Sequence, residues 1–114
     1  MAVFLFQGCI EKQWGISMEK YGIKQNVLDE ICEIAEKYSL ERVILFGSRA
    51  RGDFKRTSDI DLAVKGGDFP RFALDIDEET STLLEYDIVD LEREIQPELL
   101  KSIEKEGVIL YEKI

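Results

Sequence analysis

Two aspartates separated by one residue, Asp59 and Asp61, form the pattern with the clearest chemical potential in this sequence. They lie in the alternating run Asp59–Val64, which is typical of a β-strand with one apolar face. Residues two apart on a strand share a face, with Cα atoms about 6.6 Å apart at ~3.3 Å per residue. Two carboxylates placed in this way repel each other unless a cation lies between them, and oxygen ligands favour Mg²⁺ or Mn²⁺. The alternative is a solvated acidic face of a strand.

A second candidate site is the pair Gly47-Ser48, which follows the apolar run Arg42–Phe46 and precedes a short helix expected over Ser48–Arg51. Glycine lets the backbone approach a ligand closely because it has no Cβ. The N–H groups of a helix start and the serine hydroxyl could then hold the β- and γ-phosphates of a triphosphate. The alternative is a turn glycine followed by a serine N-cap. The Gly-Lys-Ser/Thr ending of a Walker A loop is absent.

A third carboxylate would have to come from a neighbouring strand, and the run Tyr86–Leu91 offers Asp87 and Asp90. These two aspartates point to opposite faces of a regular strand, so at most one can join the cluster. Three acids can hold two metal ions, one of which can also coordinate an attacking hydroxyl. The alternative is that both aspartates are polar residues near a strand end.

The tripeptide Asp-Ile-Asp occurs a second time, at Asp75–Asp77. Its surroundings predict a helix, in which residues two apart diverge by ~200° and cannot share an ion. We therefore interpret this second tripeptide as surface.

The charge balance limits the classes of partner. The net charge of the 114-residue chain is −9, which disfavours direct binding of long nucleic acids because duplex binding needs a positive footprint. A local basic cluster is nevertheless present. It suits a small anion such as a nucleoside triphosphate, or alternatively forms a solvated basic loop. Its members are Arg42, Arg49, Arg51, Lys55 and Arg56.

The sequence has no histidine, which removes Ser-His-Asp and Cys-His chemistry and leaves carboxylates for any metal or acid–base work. The two cysteines, Cys9 and Cys32, have no metal-binding or disulfide spacing, which fits a reducing cytoplasm. No segment reaches the ~20 apolar residues of a membrane span. A chain of this size has room for one core, so we expect a partner protein or a second copy of the chain, in a homo-oligomer, to complete the substrate site.

Alternating helix and strand patterns predict an α/β (α+β) domain, with helices packed on a mixed sheet. Asn26 is expected to cap the first helix, and Gly66-Gly67 to end the strand that carries the two aspartates. Ile60, Leu62 and Val64 should face the core, and so should Leu99, Leu100 and Ile103. The expected elements are a helix after Asn26, strands at Arg42–Phe46 and Asp59–Val64, a helix over 70–84, a strand at Tyr86–Leu91, a helix from Pro97 to Gly107 and a strand at Val108–Tyr111.

The chain reads as one domain over residues 23–114, preceded by an N-terminal extension over residues 1–22. We interpret that extension either as native or as a segment ahead of a start at Met18. Neither repeats nor linkers rich in proline and glycine interrupt residues 23–114.

Gly47-Ser48, ten further residues and then Asp59-x-Asp61 resemble the GS-x10-DxD signature of the polymerase-β-like nucleotidyltransferase superfamily. From average residue usage, a chance match is expected in about one chain in a thousand of this size. The longer runs Leu45–Gly52 and Ser58–Leu62 are similar to the minimal nucleotidyltransferase (MNT) group, and the similarity extends from Ile23 to Tyr111.

The resemblance implies a role for each matching residue. Gly47 and Ser48 would bind the triphosphate, Asp59 and Asp61 would hold two Mg²⁺ ions (or Mn²⁺), and Asp87 matches the third acid better than Asp90. Arg49 or Arg51 is expected to assist at the phosphates.

The resemblance also implies a partner. MNT proteins act as antitoxins of HEPN-domain proteins and transfer AMP from ATP to a tyrosine of that partner. Two other functions stay open at this point: modification of a small hydroxylated molecule with the help of a second subunit, and non-catalytic binding to a HEPN-domain protein.

Overall fold

The computed structural model describes residues 8–9 and 21–113. The interpretation of residues 1–22 as an extension therefore lies largely outside the described residues. The elements, in chain order, are β1 (Gly8–Cys9), α1 (Gln25–Lys37), β2 (Arg42–Phe46), α2 (Gly47–Arg51), β3 (Ile60–Lys65), α3 (Phe69–Glu79), β4 (Tyr86–Asp90), α4 (Pro97–Glu106) and β5 (Val108–Glu112).

The described strands form one mixed sheet in the order β1-β5-β2-β3-β4. The β2–β3, β2–β5 and β1–β5 pairs are antiparallel, whereas β3 and β4 are parallel. The backbone of β4 pairs only with β3 among the described strands, so β4 lies at one edge of the sheet. The predicted class, a mixed sheet with helices packed on it, is confirmed.

One face of the sheet carries the main core, under α1 and α3. Ile60, Leu62 and Val64 alternate along β3 and are fully buried, as their spacing predicts. The amphipathic helix α1 buries its apolar stripe, including Leu28 and Ile31, against this face.

The opposite face is covered by α2 and α4 over a smaller cluster that includes Phe46, Ala63 and Ile103. The prediction that Ile103 is buried is confirmed, and Leu99 is half-buried against the same cluster. The prediction for Leu100 is wrong, because 38% of this residue is exposed. Leu99 and Ile103 are four residues apart on one helix face, whereas Leu100 is rotated by about 100° from Leu99 toward the flank.

Two predicted helix boundaries are also wrong. Helix α1 begins at Gln25, so Asn26 lies in its first turn and Lys24 is the N-cap residue. Helix α3 ends at Glu79 instead of residue 84. The Ser81 N–H and hydroxyl both donate to the Glu30 carboxylate of α1, at 2.7 Å, and these bonds hold the chain in a non-helical path.

The remaining turns follow the sequence prediction. Gly66 and Gly67 end β3 with positive φ angles of 81° and 67°, which glycine adopts without steric cost. Pro97 occupies the first turn of α4, and Gly107 is its C-cap residue. Within the described residues, no helix is long and apolar enough to cross a membrane.

Candidate active site

The site is assembled where β2 ends and where β3 and β4 begin. Phe46 of β2 is the register partner of Asp61 in β3, and Asp61 is the register partner of Asp87 in β4. Register partners in neighbouring strands point their side chains to the same face of the sheet. Gly47 comes directly after Phe46, so the turn into α2 lies beside the Asp61 carboxylate.

Gly47 and Asp61 are in such close contact that only glycine fits at position 47. The φ angle of Gly47 is 79°, in the left-handed region that favours glycine. A Cβ at this position would lie 2.2 Å from Oδ2 of Asp61. The absence of a side chain at Gly47 therefore opens the space into which the Asp61 carboxylate points.

The Asp61 carboxylate is electrostatically strained. Burial, together with the negative charges of Asp87 and Asp59, raises the pKa of Asp61 to about 6. The positive charges of Arg51 and Arg49 act in the opposite direction and do not cancel this rise. Asp61 and Asp87 thus share one face of the sheet, and Asp59, the exposed residue directly before β3, adds a third negative charge that is incompletely compensated.

The register separates the two candidates for the third acid. Asp87 is exposed and shares the face of Asp61. Asp90 is the register partner of Val64, which places it on the opposite face. The Asp90 carboxylate accepts a hydrogen bond from the Glu92 N–H at 2.9 Å and lies 3.6 Å from the Arg93 guanidinium. Asp90 therefore stabilises the turn after β4 through its contacts with Glu92 and Arg93.

The donor set of the acidic face suits a hard divalent cation. Asp59, Asp61 and Asp87 supply only carboxylate oxygens, which are the preferred ligands of Mg²⁺ and Mn²⁺, and a cation would relieve their mutual repulsion. Within residues 8–9 and 21–113, no three histidine, cysteine, aspartate or glutamate side chains are grouped so that they could hold a metal ion together.

Ser48 lies at the first turn of α2, beside Gly47, and its backbone carbonyl accepts from the N–H groups of Gly52 and Asp53. No group within residues 21–113 bonds its hydroxyl, which leaves the Ser48 hydroxyl available to a ligand. Because α2 has only five residues, the case for phosphate binding depends on this hydroxyl and on the Gly47 backbone rather than on a helix dipole.

Arg49 has a structural role that the sequence analysis missed. This residue is 1% exposed, and its guanidinium donates to the carbonyl oxygens of Tyr21, Gly22, Arg56 and Ser58 at 2.8–3.3 Å. It also lies over the Phe54 ring, 4.9 Å from the ring centroid. All five N–H donors of the guanidinium are used in these hydrogen bonds, and the expected assistance of Arg49 at the phosphates stays a prediction. Charge alone does not distinguish an arginine that binds an anion from one that binds carbonyl oxygens.

The other members of the basic cluster are dispersed. Arg42, at the far end of β2 from Gly47, pairs with Glu112 at 2.8 Å. Arg51 is exposed, and its guanidinium pairs with Glu106 at 2.8 Å and with Asp53 at 3.3 Å. Ion pairs at such an exposed site are screened by solvent and contribute little to stability, so Arg51 can exchange these partners for a phosphate at small cost. Lys55 and Arg56 lie exposed in the loop before β3.

The second Asp-Ile-Asp tripeptide lies in α3, as predicted. Asp75 accepts a 2.6 Å hydrogen bond from the Tyr38 hydroxyl and pairs with Lys37, whereas Asp77 is exposed. Ile76 between them is fully buried. These two aspartates therefore diverge around the helix and do not face a common ligand.

The contact between Gly47 and Asp61 leads to a prediction. Gly47→Ala should reduce nucleotide transfer by at least about 10²-fold, because the new Cβ displaces both the turn and the Asp61 carboxylate, and losing one charge-stabilising group costs roughly that factor. Gly52→Ala is the matched control: Gly52 also has a positive φ angle, but a Cβ there meets no atom within 4 Å. Transfer rates and thermal unfolding of both variants separate loss of activity from loss of folding. Equal transfer by the two variants would contradict the role assigned to Gly47.

Comparison with known proteins agrees with this geometry. A family model described as polymerase beta, nucleotidyltransferase matches residues 29–114. A search of the curated proteins gives no sequence match.

Several solved structures share the fold. A chain in the crystal structure of a toxin–antitoxin with AMP-PNP is 24% identical, with a TM-score of 0.62 over 75% of this chain and 73% of that chain. A mutant of the MntA-HpeT toxin–antitoxin is 22% identical, with a TM-score of 0.60 over the same shares of the two chains. A candidate nucleotidyltransferase from Sulfolobus solfataricus is 28% identical, with a TM-score of 0.50 over 82% of this chain and 85% of that chain. Because the family model spans most of the chain, this protein belongs to the polymerase-β nucleotidyltransferase family.

Proposed function

We propose that the protein is a Mg²⁺-dependent adenylyltransferase that transfers AMP from ATP to a hydroxyl group, with a tyrosine of a HEPN-domain toxin as the acceptor. The observation that carries the proposal is the position of Asp61. Its carboxylate lies against Gly47, beside Asp87 in register and within electrostatic reach of Asp59. This arrangement places an uncompensated acidic face next to a turn that a phosphate chain can approach.

The carboxylate chemistry of the three acids supports a divalent metal ion as the cofactor. Asp59, Asp61 and Asp87 would hold Mg²⁺ or Mn²⁺, two ions in the arrangement typical of three carboxylates. When bound, the metal would neutralise charge on the phosphates and lower the pKa of the acceptor hydroxyl.

The chain's own groups then bind and orient the substrates. The Gly47 backbone and the Ser48 hydroxyl would hold the outer phosphates, with Arg51 released from its exposed ion pairs to assist them. The acceptor oxygen forms a bond to the α-phosphorus while the bond from that phosphorus to the α,β-bridging oxygen breaks, and pyrophosphate leaves with the electron pair. Asp87, which is exposed, would take the proton of the acceptor hydroxyl. Catalysis of this kind depends mainly on positioning and charge neutralisation.

Two observations support a toxin partner. Structures with this fold include toxin–antitoxin complexes, one of them with AMP-PNP. The MNT-type motif around Gly47-Ser48 and Asp59-x-Asp61 resembles that of antitoxins that modify HEPN-domain proteins. The acceptor tyrosine is inferred from this resemblance.

Labelled ATP tests the proposal directly. The protein is incubated with Mg²⁺ and a lysate of cells that express its genomic neighbours, in parallel reactions with ATP labelled at the α- or the γ-phosphate. We expect protein-bound label from the α-phosphate alone, and mass spectrometry should place AMP on tyrosine. Label on a small molecule would instead favour a small hydroxylated acceptor. Absence of any transferred label would favour a non-catalytic binding protein.

The register leads to a prediction about the third acid. Asp87→Asn should reduce transfer by about 10²-fold or more, because it removes a group that acts on the developing charge. Asp90→Asn is the matched control, with the same change three residues away on the opposite face, and should retain most activity. The transfer rates of both variants are measured at saturating ATP and Mg²⁺. A larger loss in Asp90→Asn would assign the third role to Asp90.

A further inference from the structure

The outer edge of β4 has backbone groups that no other strand of the described residues pairs. The Leu91 N–H donates to the Val64 carbonyl, and the Glu85 carbonyl accepts from the Ile60 N–H. Backbone groups alternate in direction along a strand, so Glu85, Asp87 and Val89 face β3, whereas Tyr86 and Ile88 direct their N–H and C=O groups outward. Among the described strands, none pairs with this outer edge. An edge of this kind is a template for an added strand.

A groove follows this edge on the face of the sheet that α1 and α3 cover. It has a volume of about 560 Å³ and lies between α3 and β4. Its apolar lining includes Leu74, which is 57% exposed, and Ile88, which is half-buried. Tyr86 is fixed in this lining because its hydroxyl donates to Oγ1 of Thr80 at 2.9 Å. The lining is completed by Ala73, Asp77 and Glu85.

The opposite side of the same strand is the acidic face of the site. Asp87 points to that face, whereas Tyr86 and Ile88 point to the groove, because successive side chains alternate across a strand. A single extended segment lying along β4 would therefore place one side chain beside Asp87 and the two flanking side chains in the groove.

The charges near the outer edge of β4 indicate which side chains a bound segment would carry. Asp77, Glu85 and Asp87 are all exposed, and none of them forms an ion pair within the described residues. Asp77 and Glu85 at the groove, together with Asp87 on the other side of β4, complement a segment that carries both apolar and basic side chains.

We propose that the acceptor protein docks by adding an extended, basic segment to the outer edge of β4, with its hydroxyl-bearing residue opposite Asp87. This inference rests on the proposed function and specifies how the acceptor is recognised. The neighbouring strand would lie about 4.8 Å away, so the acceptor side chain opposite Asp87 reaches the site face. Its hydroxyl proton passes to Asp87 as the oxygen bonds to the α-phosphorus and pyrophosphate leaves. The acceptor sequence is then a hydroxyl residue between two apolar residues, flanked by lysine or arginine. Backbone hydrogen bonds to β4 would supply affinity, and the groove, which takes every second side chain of the segment, would supply specificity.

Three synthetic peptides test this docking mode. The first has a central tyrosine between two isoleucines, with lysine on each side. The second carries an N-methyl group on the tyrosine amide, and the third carries N-methyl groups on both isoleucine amides. Only one of the two sets of amides faces β4 in an added strand, so one methylated peptide should bind at least tenfold more weakly than the other. Fluorescence anisotropy without nucleotide measures this binding, and the sensitive set reports whether the segment runs parallel or antiparallel to β4.

A pair of variants tests the groove. Leu74→Asn should weaken binding of the first peptide at least tenfold and raise the KM for the peptide in transfer, with the affinity for ATP unchanged. Leu100→Asn makes the same change at an exposed leucine on α4, away from the groove, and should bind the peptide normally. Circular dichroism of both variants verifies folding.

The outcomes separate this inference from the proposed function. Equal binding of the two methylated peptides, no binding of any peptide, or equal binding by the Leu74 and Leu100 variants would overturn the docking mode. Transfer of label to a lysate protein in the same preparation would then leave the proposed function intact. Loss of transfer to lysate protein, with the methylation pattern preserved, would instead show a docking site without the proposed activity.

Discussion

Replacing Asp59 and Asp61 together with asparagine is expected to reduce nucleotide transfer by roughly 10³-fold or more, because two groups that stabilise charge at the reacting phosphate are lost. The effect should appear in the rate at saturating ATP, since asparagine cannot neutralise a divalent cation. The matched control is Glu33→Gln with Glu36→Gln. It makes the same change in net charge at two exposed acids of α1 and should retain activity. Transfer by the aspartate double variant at the rate of the unaltered protein would refute the proposed mechanism.

The same double variant should be more stable than the unaltered protein in the absence of metal. Burial and neighbouring negative charges raise the pKa of Asp61 to about 6, so its ionised form costs folding free energy above that pH. Asparagine removes this cost at pH 7.5. Lowering the pH through 6 toward 4 protonates Asp61 in the folded state, which should narrow the difference in stability between the two proteins. Urea unfolding in EDTA at several pH values measures the difference, and a gap that widens at low pH would contradict the assigned cause.

Arg49→Met is expected to destabilise the fold by about 3 kcal/mol or more, because it removes the five hydrogen bonds that the buried guanidinium donates to backbone carbonyl oxygens. The guanidinium bonds two separate segments, one containing Tyr21 and Gly22 and the other containing Arg56 and Ser58. Arg49→Lys should recover only part of the loss, because a single ammonium group cannot reproduce the planar fork of donors.

Arg51→Met is the control for Arg49, since it makes the same change two residues away at an exposed site. Arg51 forms its ion pairs at an exposed site, so Arg51→Met should destabilise the fold much less than Arg49→Met does. Thermal and urea unfolding of Arg49→Met, Arg49→Lys and Arg51→Met rank the three variants by stability. Similar stability of Arg49→Met and Arg51→Met would show that the buried hydrogen bonds of Arg49 contribute little.

Much of the fold follows from local patterns. The alternation of Ile60, Leu62 and Val64 with the two aspartates gives both the strand and its buried face, because that periodicity is a property of the backbone. The position at which α3 ends could not be predicted from local patterns. Residues 80–84 are compatible with a helix, but Ser81 bonds Glu30, which is 51 positions away in the chain. Tertiary contacts of this length override local propensity.

In the candidate site, too, some features follow from the sequence and others only from tertiary contacts. The sequence predicts that Asp87 and Asp90 point to opposite faces, but only the pairing of β4 with β3 shows that Asp87 shares the face of Asp61. The close contact of Gly47 with Asp61 and the buried position of Arg49 also depend on three-dimensional neighbours. Residue types alone therefore identify the chemical groups, and strand register decides which of them meet.

The hydrogen bonds of Arg49 also bear on how the two sequence motifs keep their separation. Arg49 directly follows Ser48, and its partner Ser58 directly precedes Asp59. One guanidinium thus fixes the distance between the Gly47-Ser48 turn and Asp59. Insertions near the tip of that loop should for this reason be tolerated, whereas a shift of Ser58 relative to Arg49 should not.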